Sequence, residues 1–376
     1  MLDNQIINIR SEVDNWLQSF NEAISQQKNK DESIKILSNL FFEDSHWRDI
    51  LALTWKIQTV SGKSKVIENL YNKIMDVYAK SFQIDQQRTL PREVIRAGKN
   101  VIEVILRFKT KFGNCEGVVR LFEDQERKGS FKAWSLLTAL SDLSSSDKKN
   151  IEQYQNIIEG PNWLDKRNED RLYKNREPEV IVVGSGQAGL SIAARLKQQN
   201  IDTLIVDKNE RIGDNWRNRY HSLKLHNQTH VNHLPYMPFP STWPTYIPKD
   251  KLAGWFEYYV ESMELNAWTN TKFIGAEYYE NKKYWKVKLK LSDGTIKIMK
   301  PKHIVMAVGV SSVPNRTKIP GLDDYKGEVI HSADYDNGKH YNGKNVLVYG
   351  TGTSAHDVAQ DLYEHGANVK IVQRSP

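Results

Sequence analysis

The chain has 376 residues, enough for two to three domains, and its 39% hydrophobic content is compatible with packed cores. Its formal charge of +7 suits phosphate-bearing ligands, yet lysines and arginines are interleaved with aspartates and glutamates throughout, a solvated surface that excludes a nucleic-acid-binding stripe. A single cysteine, Cys115, excludes an intrachain disulfide framework and a cysteine-based zinc site, gives metal chemistry little support and fits a reducing compartment.

The N-terminus lacks a basic region followed by an apolar run, and no stretch reaches transmembrane length, so a cytoplasmic location without membrane attachment is expected. Residues 1–80 read as helical, with Ile9, Val13, Trp16, Leu17, Phe20 and Ile24 on one stripe and Val66, Leu70, Ile74 and Val77 on another. Strands follow at 101–112, 117–122 and 131–140, rich in β-branched and aromatic residues and separated by turn-like Gly113-Asn114 and by 126–129. Helices first and antiparallel strands afterwards predict an α+β domain over 1–150. A polar stretch from 144 to 178 reads as a surface connection, with 151–177 as the linker proper.

A different pattern begins at residue 178. The apolar run Val180 to Val183 ends in Gly184-Ser185-Gly186-Gln187-Ala188-Gly189, and Leu190, Ile192, Ala193, Ala194 and Leu196 continue with helical spacing. Glycines there let the backbone turn sharply, approach a pyrophosphate and pack helix against strand, while free N–H groups at the helix start favour the anion. A second strand, 203–206, ends at Asp207, 23 residues after Gly184, where a carboxylate can accept ribose hydroxyls. The segment 213–248 is dense in Trp, Tyr, His and Pro and reads as a ligand-lining loop or an aromatic-rich buried one. Runs at 273–279, 284–291 and 296–307 predict a three-stranded meander that completes a domain over 178–343.

The logic repeats at Gly350-Thr351-Gly352-Thr353-Ser354-Ala355, after the strand-like 345–349, opening a domain over 344–376. Here the next strand, 369–373, ends in Arg374-Ser375 rather than an acid. A carboxylate would repel a 2′-phosphate, whereas a guanidinium 24 residues after Gly350 can pair with one in a bidentate manner. The first turn therefore reads as an FAD or NAD site and the second as an NADPH site. No internal repeat exists beyond these two halves.

A third signature lies between them: Tyr325, Gly327, His331 and Tyr335, spaced Tyr-x-Gly-x-x-x-His-x-x-x-Tyr. It resembles the fingerprint of flavin-containing monooxygenases and their Baeyer–Villiger relatives, which sits just before the NADPH turn. The segment Gly213-Asp214-Asn215-Trp216 resembles their second FAD contact, and Val308-Gly309 with Pro314, Pro320 and Gly321 resembles their interdomain hinge. The resemblance covers about residues 178–376. Tyr335, where Baeyer–Villiger enzymes typically carry Trp, points away from them, and Leu223-Lys224-Leu225-His226 is closer to the plant YUCCA-type subgroup. Animal-type members usually place Asn where His226 aligns, and a shift of one residue brings Asn227 there. A weaker resemblance, carried by 47–55 and 131–140, links residues 1–150 to NTF2-like domains, curved sheets closed into a cone by helices. Trp55 and Trp134 are expected in the core of that cone.

The resemblance implies an N-terminal NTF2-like α+β cone followed by Rossmann-like α/β dinucleotide-binding domains, the second incomplete because the chain stops after its second strand. It implies that Gly184, Ser185, Gly186, Gln187, Ala188, Gly189, Asp207, Lys208, Asp214 and Trp216 hold FAD. Gly350, Thr351, Gly352, Thr353, Ser354, Arg374 and Ser375 would hold NADPH. His226 or Asn227 would face the flavin, and His331 would contribute to the reaction. In that family NADPH reduces FAD and a flavin C4a-hydroperoxide passes one oxygen atom from O2 to a small organic substrate. A chain ending at residue 376 is expected to show exposed sheet edges, weak FAD retention and little turnover. Two alternatives stay open: an FAD/NAD(P)H-dependent reductase, against which the lack of Cys-x-x-Cys argues, and a truncated, non-catalytic product whose N-terminal cone is a binding or dimerisation module. A homodimer is also left open.

Overall fold

A computed structural model describes residues 2–25, 29–124, 130–144, 162–310 and 313–373, and the chain divides into two compact units, Met1–Ile151 and Glu152–Pro376. In the first unit, helices α1 (Leu2–Ala23), α2 (Lys30–Leu40) and α3 (Lys63–Val77) cover one face of a seven-stranded sheet. The strands are β1 (Phe41–Ile50), β2 (Ile57–Ser61), β3 (Lys80–Ile84), β4 (Arg92–Arg96), β5 (Lys99–Lys109), β6 (Gly113–Glu123) and β7 (Phe131–Leu143), ordered β2-β1-β7-β6-β5-β3 with β4 also on β5. Alternation sets the faces: Ile102, Val104, Leu106 and Phe108 on β5 are buried, together with Trp16, Phe20 and Leu70 from the helices.

Three expectations for this unit are corrected. Residues 1–80 are not all helical, because 41–50 buries Phe41, Ser45, Trp47 and Asp49 while exposing residues between them, a period of two that pairs as β1. Gly113 and Asn114 begin β6, and the reversal falls at 110–112. A Cβ on Gly113 would lie 1.8 Å from the Asp142 carbonyl oxygen, so the glycine serves close strand approach. Trp55 is half-exposed, and Trp134 is half-buried against Phe122 and His46. The cause for Trp55 is Asp49, a fully buried carboxylate accepting from Leu53 N, Thr54 N, Thr54 Oγ1 and Thr138 Oγ1. It ties down 50–56, where Leu51 and Trp55 adopt positive φ and the indole is turned outward. The interior is filled by side chains: Trp47 is fully buried and donates to Thr138 Oγ1 at 2.9 Å.

In the second unit a parallel sheet runs β10 (Asn266–Trp268), β9 (Thr203–Val206), β8 (Val180–Val183) and β14 (His303–Met306). All of β8 and β9 is buried, and alternate residues face opposite layers. Val180, Val182 and Ile205 meet α5 (Gln187–Gln198) and α7 (Lys249–Ser262). Ile181, Val183, Leu204 and Val206 meet an antiparallel layer of β11 (Lys272–Tyr279), β12 (Tyr284–Lys290) and β13 (Ile296–Met299). This is the Rossmann-like arrangement of a parallel sheet between two layers.

The meander differs from expectation at its third strand. Pro301 cannot donate to a ladder, so 296–307 breaks there, and β14 leaves to pair in parallel with β8. The expected linker also contains structure: α4 (Trp163–Leu172) is capped by Asn162, and its buried Arg167 donates to Asn266 Oδ1 and Leu265 O. The 126–129 turn lies outside the described residues. Beyond β14, strands β15 (Asn345–Tyr349) and β16 (Asn368–Val372) form a two-stranded parallel sheet joined by α8 (Thr353–Glu364). Leu347, Tyr349 and Ile371 on these strands are exposed.

Candidate dinucleotide sites

Each glycine turn follows the carboxyl end of a parallel strand and opens a helix. At the first, Gly184 has φ +104°, and a Cβ there would lie 2.5 Å from Ala307 O. A Cβ on Gly189 would lie 1.9 Å from Gly184 O, so only glycine lets α5 close onto the turn. Gly186 caps α5 without a side-chain hydrogen bond, which leaves the N–H groups of the first helical turn for an anion. Gln187 and Ala188 are exposed in that turn.

Asp207 directly follows β9 and is buried. Its Oδ2 accepts from Ser185 N at 2.7 Å and Ser185 Oγ at 2.6 Å, and its Oδ1 accepts from Asn209 N at 2.9 Å. The carboxylate thus clamps the glycine turn and keeps one flank of Oδ1 as acceptor capacity. Lys208 beside it is exposed. Short helix α6 (Asp214–Arg217) carries the next pair. Buried Asp214 accepts from Arg211 N and pairs with Arg217, while the Trp216 indole Nε1 is buried without a hydrogen-bond partner. A buried donor with no acceptor costs roughly 1–3 kcal/mol, so Trp216 Nε1 is a group that fits a bound polar ligand.

At the second turn Gly350 has φ +116° and its N–H reaches Val372 O at 2.9 Å. Gly352 caps α8, again without a side-chain bond. Thr351 and Thr353 are exposed and Ser354 is half-buried. Arg374 and Ser375 lie outside the described residues.

The remaining candidates sit in the long loop and the fingerprint. His226 Nε2 lies 2.9 Å from Asp357 Oδ2 on α8, and Asn227 is exposed, its carbonyl accepting from Asn232. His331 Nδ1 accepts from Ala333 N at 3.0 Å, a loop histidine satisfied by backbone. Exposed Tyr325 lays its ring over Gly327, where an added Cβ would meet it at 2.5 Å. Tyr335 is buried and donates to Asp361 Oδ2, which also accepts from Gly338 N. Burial, then the Asp361 carboxylate, pushes the Tyr335 phenol well above its ordinary range.

Sequence reasoning missed Tyr220, Asp357 and Asp361. Tyr220 is buried and donates to Asp357 Oδ2 at 2.6 Å; burial and that carboxylate push its phenol up too. The signal for Asp361 was present: it falls in the buried stripe of α8 with Val358, Ala359 and Leu362. A carboxylate in an apolar stripe requires donors from the facing element.

Among the described residues no group of side chains could hold a metal ion, and no helix is long and apolar enough to cross a membrane. Residues 181–376 match the family model described as pyridine nucleotide-disulphide oxidoreductase. A probable indole-3-pyruvate monooxygenase, YUCCA3 of Arabidopsis thaliana, is 34% identical over 240 residues, which cover 61% of this chain and 54% of the relative. Indole-3-pyruvate monooxygenase YUCCA1 of Oryza sativa subsp. japonica is 30% identical, covering 53% and 48%. A solved flavin-containing monooxygenase from Stenotrophomonas maltophilia aligns with a TM-score of 0.48 at 20% identity, over 53% of this chain and 58% of that one. The chain spans about half the length of the curated relatives it matches.

Proposed function

The chain belongs to the pyridine nucleotide-disulphide oxidoreductase family, and within it we propose an FAD- and NADPH-dependent monooxygenase acting on a small organic substrate with O2. The observation that carries the proposal is the pair of glycine turns, each at the carboxyl end of a parallel strand and each opening a helix with no side-chain cap. Two such turns in one chain provide for two dinucleotides. The similarity to indole-3-pyruvate monooxygenases supports oxygenation and makes an aromatic keto acid the first substrate to try.

The residues present fit FAD at the first turn. Gly184 and Gly189 leave no room for a Cβ, Gly186 leaves α5 uncapped, and Trp216 Nε1 lacks an acceptor. In this reading the 184–189 amides bind the diphosphate, and Asp207 Oδ1 takes a ribose hydroxyl while Oδ2 keeps the turn in place. Lys208 lies toward the adenosine end, and Asp214 holds α6 so that Trp216 lines the flavin end. Thr351 to Ser354 and the α8 amides hold NADPH, with Arg374 and Ser375 at the 2′-phosphate. When bound, FAD reduced by NADPH supplies the chemistry that activates O2. The protein contributes binding, orientation and exclusion of water. His226 and His331 take positioning roles in this reading, and Asn227 is left to face the flavin.

A disulfide reductase is disfavoured by one observation. The chain's only cysteine, Cys115, is buried in the first unit, where burial pushes its thiol up to about 11. We read that first unit as NTF2-like, its cone a core rather than a pocket, because Trp47, Phe41 and Leu53 fill it. A cytoplasmic location belongs to the same proposal. The test is NADPH oxidation by the flavin-loaded chain with and without O2, followed by a substrate screen. Oxidation that stops without O2 and yields oxygenated product supports the proposal, and oxidation that continues with another acceptor overturns it.

A further inference from the structure

We infer that Tyr220, assisted by His226, is a positioning residue for the second dinucleotide, gripping Asp357 so that the start of α8 and the 350–354 turn are held against the first nucleotide-binding lobe. The inference deepens the reading above and rests on it for the identity of the ligand. Its geometry stands independently.

Asp357 and Asp361 lie one helical turn apart on the same side of α8. Asp361 is anchored by Tyr335 and Gly338 N, and His365 approaches it from the same helix. One anchor allows a helix to pivot, whereas two anchors about 6 Å apart along the axis define its direction. The second anchor is Asp357, which accepts from Tyr220 Oη at 2.6 Å and meets His226 Nε2 at 2.9 Å. Arg219 lies over the Tyr220 ring, 5.7 Å from its centroid. Tyr220 and His226 both come from the chain that follows the Asp214–Trp216 contact of the first site.

Magnitude decides between the two donors. Tyr220 is 2% exposed, and a buried hydroxyl on a carboxylate makes a strong, charge-assisted bond. The His226 side chain is 50% exposed, and exposed pairs contribute little. The phenol is the main grip and the imidazole the lesser one.

The experiment uses the full chain and three readouts: bound FAD, NADP+ affinity by calorimetry, and hydrogen exchange of the 353–358 amides without ligand. Tyr220→Phe keeps the ring and removes the donor. It should raise the NADP+ Kd roughly tenfold, about 1.4 kcal/mol, and speed exchange at 353–358 while bound FAD stays at the wild-type level. His226→Ala should change the Kd about twofold or less. Wild-type Kd and wild-type exchange in Tyr220→Phe would overturn the inference. A wild-type chain that binds neither FAD nor NADP+ overturns the proposed function instead, and ligand-free exchange still decides the grip.

Discussion

The two glycine turns share a sequence pattern and differ in how tightly the fold encloses them. At the first, backbone fills the space where side chains would be: Ala307 O crowds Gly184 and Gly184 O crowds Gly189. At the second, a Cβ on Gly350 or Gly352 would meet nothing within 4 Å, and the position matching Gly189 is Ala355. The first turn sits in a four-stranded sheet with both faces covered; the second sits on two strands whose Leu347, Tyr349 and Ile371 are exposed. The same motif is therefore held by packing on both faces of its sheet in one place, and in the other by a smaller apolar cluster together with the side-chain anchors Tyr220–Asp357 and Tyr335–Asp361.

The contrast can be broken hardest at Gly189. Gly189→Ala forces a methyl against Gly184 O at 1.9 Å, and that backbone carbonyl cannot yield as a flexible side chain would. Loss of more than about 3 kcal/mol of unfolding free energy is expected in urea titration, together with loss of bound FAD. Gly350→Ala should cost less, about 1–3 kcal/mol, because only the strained φ of +116° opposes it. NADP+ binding should fall while FAD stays. Equal losses from the two substitutions would show that the turns are equally enclosed.

Tyr335→Phe removes a donor from buried Asp361 and leaves Gly338 N and the nearby His365 ring, so about 1–3 kcal/mol should be lost. The same phenols give a pH signature. Tyr220 and Tyr335 have pKa values raised above the unfolded value near 10, first by burial and then by Asp357 and Asp361. Above that pH the unfolded chain has lost protons that the native chain keeps, so their contribution is complete below about pH 10 and declines as pH rises. Ultraviolet titration should show delayed tyrosinate formation, and α8 should lose exchange protection before α5 does. Simultaneous loss would sink the claim that side-chain anchors hold the second turn.

The turns and the parallel strands after residue 178 were legible because each is a local pattern: apolar run, glycine spacing, helical period. The β1 strand was not, since it falls inside 1–80, which read as helical from the stripes on either side of it, and pairing with β7 and the Asp49 clamp show otherwise. Pro301 was a visible break in the third meander run, but its consequence, the return of β14 to β8, depends on tertiary pairing. His226 was identified as a site residue from its alignment, yet its partner Asp357 lies 131 residues away. Contacts at that separation leave no periodic trace; only the misplaced carboxylate in the α8 stripe hinted at them.

The smallest stability effect is expected at Gly352, and it separates folding from binding most sharply. Gly352 has φ −70° and ψ 168°, a conformation open to any residue, and an added Cβ meets nothing. Alanine lowers the entropy of the unfolded chain by about 0.4–1 kcal/mol. It also loses a similar amount as a poorer N-cap, so the net change should lie within about 0.5 kcal/mol. Gly186→Ala, whose Cβ would press Asn215 Nδ2 at 3.3 Å, should cost somewhat more. If the backbone at 352 must approach a diphosphate, Gly352→Ala should nonetheless weaken NADP+ tenfold or more. A methyl that leaves both stability and NADP+ affinity unchanged would mean that no phosphate approaches this turn, and the glycine would then serve only as a helix cap.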